Sequence, residues 1–476
     1  MLNLDLPIDP TSPDWKKALQ QLQGSILKYH GRDHTALLPL QLQPSRELRS
    51  KLGKFVMSRI TSALAQADQT AKFKQRPKSK GPDNVVFCNF FLTVWGYTNL
   101  GHDVATLKAK FPQPQRDPAF NNWFLQGMEQ TGGMLGDPPR LEWEKPYQGQ
   151  MDAMLLLACD DRDALELAVR NAKDELKDFA IVLCEEWGKT LRQGDFTIEP
   201  FGFMDGISQP QFFAGDSELE KPSIVLEQDQ LAEDDFAFGS YLVYRKLEQN
   251  VKQFWLDEQR LAAKLNLAGR DYDRAGAMMV GRFRNGTPLT TSAIAGPNPS
   301  HDNKFDYVSQ QDELGTKCPL HAHIRKVRPR VFYRDRIVRR SVPYGPYDPA
   351  ANERTDPPET GSGLLFLCYQ RNIQAQFGGA QKDWANRVDF PDPDTGKDPV
   401  IGQGWSSTAQ NWPVEWGGKA TVPFQLGNYV TLKGGGYFFA PSVTYFEKLA
   451  GFTPDKRRPV ASHKAAARAK IARRHD

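Results

Sequence analysis

The sequence lacks the features that mark several large classes of protein. No apolar run in its 476 residues approaches the ~18–20 residues that span a bilayer. The N-terminal segment has neither a basic stretch nor an apolar core, so no secretory or twin-arginine signal is visible. The five cysteines form no CxxC or CxxCH motif and no zinc-ligand spacing. These absences predict a soluble protein of a reducing compartment, the cytoplasm, with no membrane partner.

Most of the chain also lacks a net positive charge, although the whole chain carries a formal net charge of +4. Residues 455–476 hold eight Lys/Arg against two Asp, a net charge of +6, so the other 454 residues carry −2. A basic surface for nucleic acid therefore cannot be inferred from the overall charge, and we predict no nucleic-acid partner. The Ala-rich C-terminal segment is predicted to be a basic, flexible tail.

What the sequence does contain is a succession of strand-like and helix-like segments. Residues 84–94, 150–158 and 179–184 read as buried strands, and residues 164–176 carry apolar side chains at helical spacing. Residues 239–245 and 363–370 read as core strands of the second half, and residues 258–267 as a helix. This pattern predicts an α+β sandwich with one helical face.

Chain length favours two domains, with a boundary near residues 195–201. We place an N-terminal domain at 1–198, a C-terminal domain at 199–454 and the tail at 455–476. Glycine and proline cluster at residues 344–363 and 390–404. Long loops of this kind often carry function.

Histidine is scarce, with eight in the chain, and two of them lie close together. His321 and His323 stand at i, i+2 in a segment that begins at Cys318. Such a pair could bind zinc from one face of a strand. However, no acidic residue lies within five positions and basic residues follow, which is a poor setting for a dication.

Two further segments combine a charged residue with a tight turn. Asp205 stands between an aromatic-apolar stretch and Gly206, where its carboxylate would be partly desolvated, although Asp-Gly is commonly only a turn. Arg339 and Arg340 precede a Pro-aromatic turn at residues 343–345. Taken singly, each segment also fits a purely structural role.

Together, the three segments resemble the motifs of the dye-decolourising peroxidases, haem enzymes that are unrelated in fold to plant peroxidases. The signature is Gly202-x-x-Asp205-Gly206, then Cys318-Pro-x-x-x-His323-Ile-Arg-Lys, then Arg339-x-x-x-Pro343-Tyr344-Gly345. Residues 22–27 resemble the opening strand of the family. Further segments of family type are 135–138, 239–247, 281–289, 363–370 and 434–441. The resemblance covers roughly residues 19–449 and is closest to the longer members.

The resemblance implies two ferredoxin-like α+β domains, with non-covalent haem b in the C-terminal one. His323 would be the iron ligand, with His321 as the alternative. Asp205 and Arg339 would face the peroxide, with Arg340 as the competing arginine. Leu364 and Phe366 would form apolar walls on the same side. A separate hypothesis, based on their nearness to His323 in the sequence, is that the basic residues after it would neutralise the haem propionates.

The implied activity is reduction of hydrogen peroxide by heterolytic cleavage, with oxidation of bulky aromatic donors such as anthraquinone or azo dyes and phenols. A carboxyl group has a reference pKa near 4, whereas that of histidine is near 6.5. A carboxylate base therefore predicts activity skewed to acidic pH. The alternative is a haem-binding, storage or iron-release protein with incidental peroxidase activity. The sequence leaves monomer and homodimer open.

Overall fold

The computed structural model describes residues 2–75, 81–111, 122–328, 330, 336–351, 356–404 and 409–452. The predicted basic tail at 455–476 lies outside these ranges. Across the described segments, no helix has both the length and the apolar character needed to cross a membrane.

The first half of the chain builds most of the helices. They are α1 (Pro13–Gln21), α2 (Leu48–Met57), α3 (Ala63–Lys74), α4 (Val94–Asn99), α5 (Val104–Lys110), α6 (Trp123–Gln126), α7 (Met128–Leu135) and α8 (Arg162–Leu176). Its strands are β1 (His34–Leu42), β2 (Phe87–Leu92), β3 (Ala153–Cys159), β4 (Ala180–Val182), β5 (Glu186–Lys189), β6 (Leu191–Gln193) and β7 (Phe196–Ile198).

The second half supplies the longest strands. Its strands are β8 (Glu227–Gln228), β9 (Phe238–Gln249), β10 (Val338–Arg339), β11 (Val342–Tyr344), β12 (Gly363–Gln370), β13 (Gln410–Pro413), β14 (Thr421–Phe424) and β15 (Val430–Ala440). The helices are α9 (Val251–Lys264), α10 (Arg274–Val280), α11 (His323–Lys326) and α12 (Val443–Leu449), with a π-helical segment at Ile373–Ala385. Single 3₁₀ turns lie at Arg140–Glu142, Lys145–Tyr147, Pro222–Ile224 and Gly269–Asp271.

Local sequence explains the best-defined elements. Helix α8 begins where the Asp161 side chain accepts a hydrogen bond from the amide of Ala164. Its buried side chains recur at helical spacing, and they end at Leu176. Strand β3 is buried along its whole length, as its unbroken apolar run predicts.

Eleven strands form one antiparallel sheet that closes on itself. Its ring runs β12, β11, β5, β1, β3, β2, β15, β9 and back to β12, because β9 pairs with both β15 and β12. The strands of the first half meet those of the second half at two seams. Each seam is a single registered pair, Gly188 with Tyr344 and Leu92 with Phe439. The architecture is α+β, as predicted.

The main hydrophobic core spans both halves of the chain. It includes Leu37 and Phe90 from the first half and Tyr244 and Phe438 from the second. A smaller apolar cluster, centred on Phe254 of α9, belongs to the second half alone. The domain boundary at 198/199 stays a prediction, because the sheet and the core are continuous across it.

Two local predictions differ from the structure. Residues 22–27 form turns rather than an opening strand, and the first strand is β1. The extended conformation is interrupted at Ser25, whose φ is +66°. The helix predicted at 258–267 begins earlier, at Val251, because the Asn250 side chain caps it by accepting from the amide of Gln253.

Candidate active site

A cavity of about 740 Å³ opens within the second half of the chain. All five residues predicted for the site line it, namely Asp205, His323, Arg339, Leu364 and Phe366. Residues that lie up to 161 positions apart in the sequence are therefore brought to one space. Every described residue that lines this cavity lies at or after Glu199.

Asp205 is held by its backbone next to strand β7. Its amide donates to the carbonyl oxygen of Thr197 at 2.9 Å, and the Thr197 hydroxyl donates to the Asp205 carbonyl oxygen at 3.1 Å. The next residue, Gly206, has a φ of +82°, which glycine adopts without strain. The side chain of Asp205 is 33% exposed, so it is reachable from the cavity.

Arg339 faces Asp205 across this part of the cavity wall. Its Nη1 lies 3.9 Å from Oδ1 of Asp205, which is ion-pair distance. Strand β10 positions Arg339 by pairing it with Cys368 of β12. Arg340, the competing arginine, points elsewhere: its guanidinium is buried and donates to the carbonyl oxygens of Ser25 and Ile26.

The apolar wall beside this pair comes from β12. Leu364 and Phe366 stand at i, i+2, so both side chains project from one face of the strand. They lie opposite Leu247 and Arg245 of β9, which also line the cavity. Sheet alternation thus explains why these two positions, and not Leu365, reach the site.

His323 begins helix α11 and also lines the cavity. Its Nδ1 lies 2.8 Å from Oδ2 of Asp398, whose other oxygen accepts from the amides of Val400 and Ile401. A buried carboxylate that engages Nδ1 fixes the ring and leaves Nε2 as the nitrogen that could bind a metal. Asp398 is fully buried and lies 75 positions after His323 in the sequence.

His321, the alternative ligand, does not line the cavity. Its side chain is buried against Trp412, with the ring centroids 4.4 Å apart. Burial lowers the pKa of His321 to about 3, so the ring is neutral. Its surroundings are those of a core histidine.

Arginines crowd one end of the cavity. Arg336 donates to the Ser208 hydroxyl at 3.0 Å, and Arg328 donates to the same oxygen. Arg330 donates to the carbonyl oxygens of Asn303 and Phe305. Burial, and then the charges of Arg336 and Arg330, lower the pKa of Arg328 to about 10. This end of the cavity would therefore be stabilised by an anion.

The basic run after His323 divides into two groups. Arg328 and Arg330 line the cavity, in agreement with a role toward an anionic group. Arg325 and Lys326 do not: Arg325 pairs with buried Asp312, and the Lys326 ammonium donates to backbone carbonyls, including that of Arg387. Arg325 and Lys326 lie in α11, whereas Arg328 and Arg330 follow its end, so the two groups point in different directions.

These residues fit haem. The cavity is lined in part by apolar side chains, has one histidine with an oriented ring, and holds a cluster of half-buried arginines that suits two carboxylates. Within the described ranges, no group of three or more His, Cys, Asp or Glu side chains could hold a bare metal ion. A single histidine ligand suits a metal whose other ligands belong to its own cofactor, as the porphyrin nitrogens of haem do.

Comparison with known proteins gives the family. A family model described as Dyp-type peroxidase, C-terminal, matches residues 198–392. The multifunctional dye peroxidase DyP2 of Amycolatopsis sp. is 36% identical over 492 aligned residues, covering 93% of this chain and 100% of that protein. The chain belongs to the dye-decolourising peroxidase family.

Other members support the same assignment. The dye-decolorizing peroxidase msp1 of Mycetinis scorodonius is 28% identical and covers 90% of this chain and 86% of its own. The crystal structure of an Anabaena sp. DyP-type peroxidase matches with a TM-score of 0.82 and 37% identity, over 94% of this chain and 100% of that one. The chain is therefore a peroxidase of a haem-dependent family, and the predicted fold class is confirmed.

The motifs alone did not reveal every residue around the site. Asp398, Arg336 and Glu199 were missed. Asp398 lies in the Gly/Pro-rich loop at 390–404, whose composition was the only signal for it. Glu199 lies three positions before Gly202, close enough to have been included with the Asp205 motif.

Proposed function

We propose that this protein is a haem b peroxidase that reduces hydrogen peroxide by heterolytic cleavage and oxidises bulky aromatic donors. The donors would be anthraquinone or azo dyes and phenols; the relatives DyP2 and msp1 are both dye peroxidases by name. The observation that carries the proposal is the convergence of Asp205, Arg339 and His323 on one cavity. When bound, haem supplies the iron at which peroxide reacts.

The residues of the chain would bind the cofactor and shape the cavity around it. His323, oriented by Asp398, would hold the cofactor through Nε2, and Arg328, Arg330 and Arg336 would bind its propionates. Leu364 and Phe366 would exclude bulky molecules and water from the peroxide side. Large donors would consequently react at an accessible edge or through surface aromatic residues.

Asp205 and Arg339 would act on peroxide directly. The Asp205 carboxylate would take the proton from one peroxide oxygen and deliver it to the other, so that the second oxygen leaves as water. The Arg339 guanidinium, permanently charged and 3.9 Å from Asp205, would stabilise the developing negative charge. A carboxylate base remains ionised at a pH where a histidine base would be protonated, so we expect acidic conditions to favour the reaction.

The first test measures the reaction with peroxide by stopped-flow absorbance. Asp205→Asn should retain the cofactor but slow the peroxide-dependent spectral change by about 10²–10⁴-fold, the usual contribution of general acid–base catalysis. Asp302→Asn, which removes an exposed carboxylate that does not line the cavity, is the matched control. An unchanged rate for Asp205→Asn would exclude this role. A rate that falls with an apparent pKa near 6.5 would point to a histidine base instead.

The second test determines which histidine binds the haem iron. His323→Ala should weaken cofactor binding and shift the Soret band, whereas His321→Ala should leave the band in place. The reverse pattern would assign the iron to His321. Release of haem or iron faster than peroxide turnover would favour the storage or iron-release alternative.

We further propose that the protein acts in the cytoplasm on small molecules, without a nucleic-acid or membrane partner. The weak net charge of residues 1–454 supports this proposal. Salt-dependent DNA binding by the purified protein, if it survived removal of residues 455–476, would contradict it. Size-exclusion chromatography would distinguish a monomer from a homodimer.

A further inference from the structure

Glu199 is a carboxylate at the cavity wall that the proposed chemistry does not use. It follows the last residue of β7 and lines the cavity. Its Oε2 accepts from the amide of Phe201 at 3.0 Å and from the Gln249 side chain at 2.9 Å, and its Oε1 accepts from the amide of Phe203 at 3.0 Å. One side chain thus binds two amides of the segment that leads to Asp205.

The backbone closes the same segment into a tight loop. The Glu199 amide donates to the carbonyl oxygen of Phe203 at 3.0 Å, and the Gly202 amide donates to that of Glu199 at 2.8 Å. Gly202 has a φ of +89°, which the loop requires and which glycine provides. Beyond the loop, the Met204 amide donates to the carbonyl oxygen of Arg284 at 2.9 Å. The position of Asp205 therefore depends on how residues 199–204 are folded as well as on its backbone pairing with Thr197.

The loop has few other ways to satisfy the two amides. The side chains of Phe201 and Phe203 are almost fully buried and both pack on Phe254, with ring centroids 4.3 and 6.0 Å away. These rings cover the loop on the side that faces α9. Without the Glu199 carboxylate, the loop must either leave two buried amide groups without acceptors or change its conformation.

We propose that Glu199 is a positioning residue for Asp205: its carboxylate fixes the 199–204 loop and thereby holds the Asp205 side chain facing Arg339. This inference rests on the proposed role of Asp205. Glu199 itself does not exchange a proton with peroxide in this arrangement. It acts through the loop, so its removal should matter only while Asp205 is functional.

The matched control is Asp229, a second buried carboxylate with a comparable structural role. It accepts from the amide and the hydroxyl of Ser442 at 2.7 and 2.8 Å, and burial raises its pKa, as burial also raises that of Glu199. Asp229 does not line the cavity. Asp229→Ala therefore reproduces the loss of a buried acceptor without touching the Asp205 loop.

The first readout does not depend on turnover. Hydrogen exchange followed by mass spectrometry should show faster exchange in peptides that cover residues 199–206 of Glu199→Ala than in the parent protein. Asp229→Ala should leave those peptides unchanged. Glu199→Gln keeps one carbonyl oxygen as acceptor, so it should give intermediate protection. Unchanged protection of the loop in Glu199→Ala would overturn the inference.

The second readout is a double-mutant cycle on the peroxide reaction, measured with the cofactor-loaded protein. Glu199→Ala alone should slow the reaction by about 10–100-fold, the cost of misplacing a catalytic group by about 1 Å. In an Asp205→Asn background, the same substitution should add less than about a twofold change, because the two residues act as one unit. Asp229→Ala should stay within about twofold of the parent rate.

The outcomes separate the two proposals. An equal slowing by Glu199→Ala in both backgrounds, with Asp205→Asn slow by itself, would overturn the positioning role and leave that of Asp205 intact. An Asp205→Asn variant that reacts as fast as the parent would overturn the role of Asp205, and the role of Glu199 with it.

Discussion

Replacing His30 by Asn should make the protein less sensitive to acid. The His30 ring lies between Tyr29 and Phe87, with centroids 4.3 and 5.1 Å away. Its Nδ1 accepts a hydrogen bond from the amide of Arg32 at 3.1 Å, so this nitrogen carries no proton in the native state. Protonation of Nδ1 would break that bond and place a cation near Arg32 and Arg340.

The pKa shift gives the sign and the size of the effect. Burial, and then the charges of Arg32 and Arg340, lower the pKa of His30 from 6.5 to about 3. Between these values the unfolded chain binds a proton that the native protein does not, so stability is fully present above pH 6.5 and is lost as pH falls toward 3. At about pH 4.5 the loss is at most ~2.7 kcal/mol, and ~1–2 kcal/mol when solvent access to the ring is allowed for.

The assay is urea unfolding of parent and variant at about pH 7.5 and pH 4.5. An asparagine oxygen can accept from the amide two residues ahead, so His30→Asn keeps the acceptor while removing the titrating group. The variant should lose ~1–2 kcal/mol less stability than the parent between the two pH values. His301→Asn, in an exposed loop, is the control. Equal acid losses for His30→Asn and parent would refute the reasoning.

Three further substitutions test other parts of the structure. Glu258→Gln should cost about 3–5 kcal/mol in urea unfolding, because it leaves buried Arg284 without its bidentate partner at 2.6 and 2.7 Å. A loss below 1 kcal/mol would mean that the guanidinium finds another acceptor. Lys326→Met should lower stability by at least ~2 kcal/mol, because the buried ammonium donates to the carbonyls of Arg387 and Phe390; an unchanged melting temperature would show that water replaces it. Asp398→Ala should release haem about 10–100-fold faster to a scavenging apoprotein, since a ligand loses its orienting partner. Haem release at the same rate as from the parent protein would show that Asp398 does not support the histidine ligand.

The α+β class could be predicted from the succession of strand-like and helix-like segments, and the main site residues because three short motifs together resemble those of one family. Glycine permits the positive φ that the chain adopts on either side of Asp205, at Gly202 and Gly206. Alternation along β12 brings Leu364 and Phe366 to one face. Helical spacing of apolar residues likewise defined α8, and an unbroken apolar run defined β3. In these cases a few neighbouring residues determine the geometry.

The remaining features depend on contacts between distant parts of the chain. The pairing of His323 with Asp398 joins residues 75 positions apart, through a loop whose sequence has no periodicity. Closure of the sheet into a ring rests on single registered pairs at the two seams, which no strand pattern specifies. The division of the basic run after His323 depends on where α11 ends, and a four-residue helix is too short to be predicted.

Arg340 connects the first half of the chain to the cavity in the second half. Every described lining residue of the cavity lies at or after Glu199, so the first half supplies no wall. Yet the buried guanidinium of Arg340 donates to the carbonyl oxygens of Ser25 and Ile26, and its Nη1 donates to that of Arg339. Since β10 has only two residues, this anchor is a major constraint on where Arg339 lies. The first half therefore acts on the cavity through backbone carbonyls that fix an arginine, without lining the cavity itself.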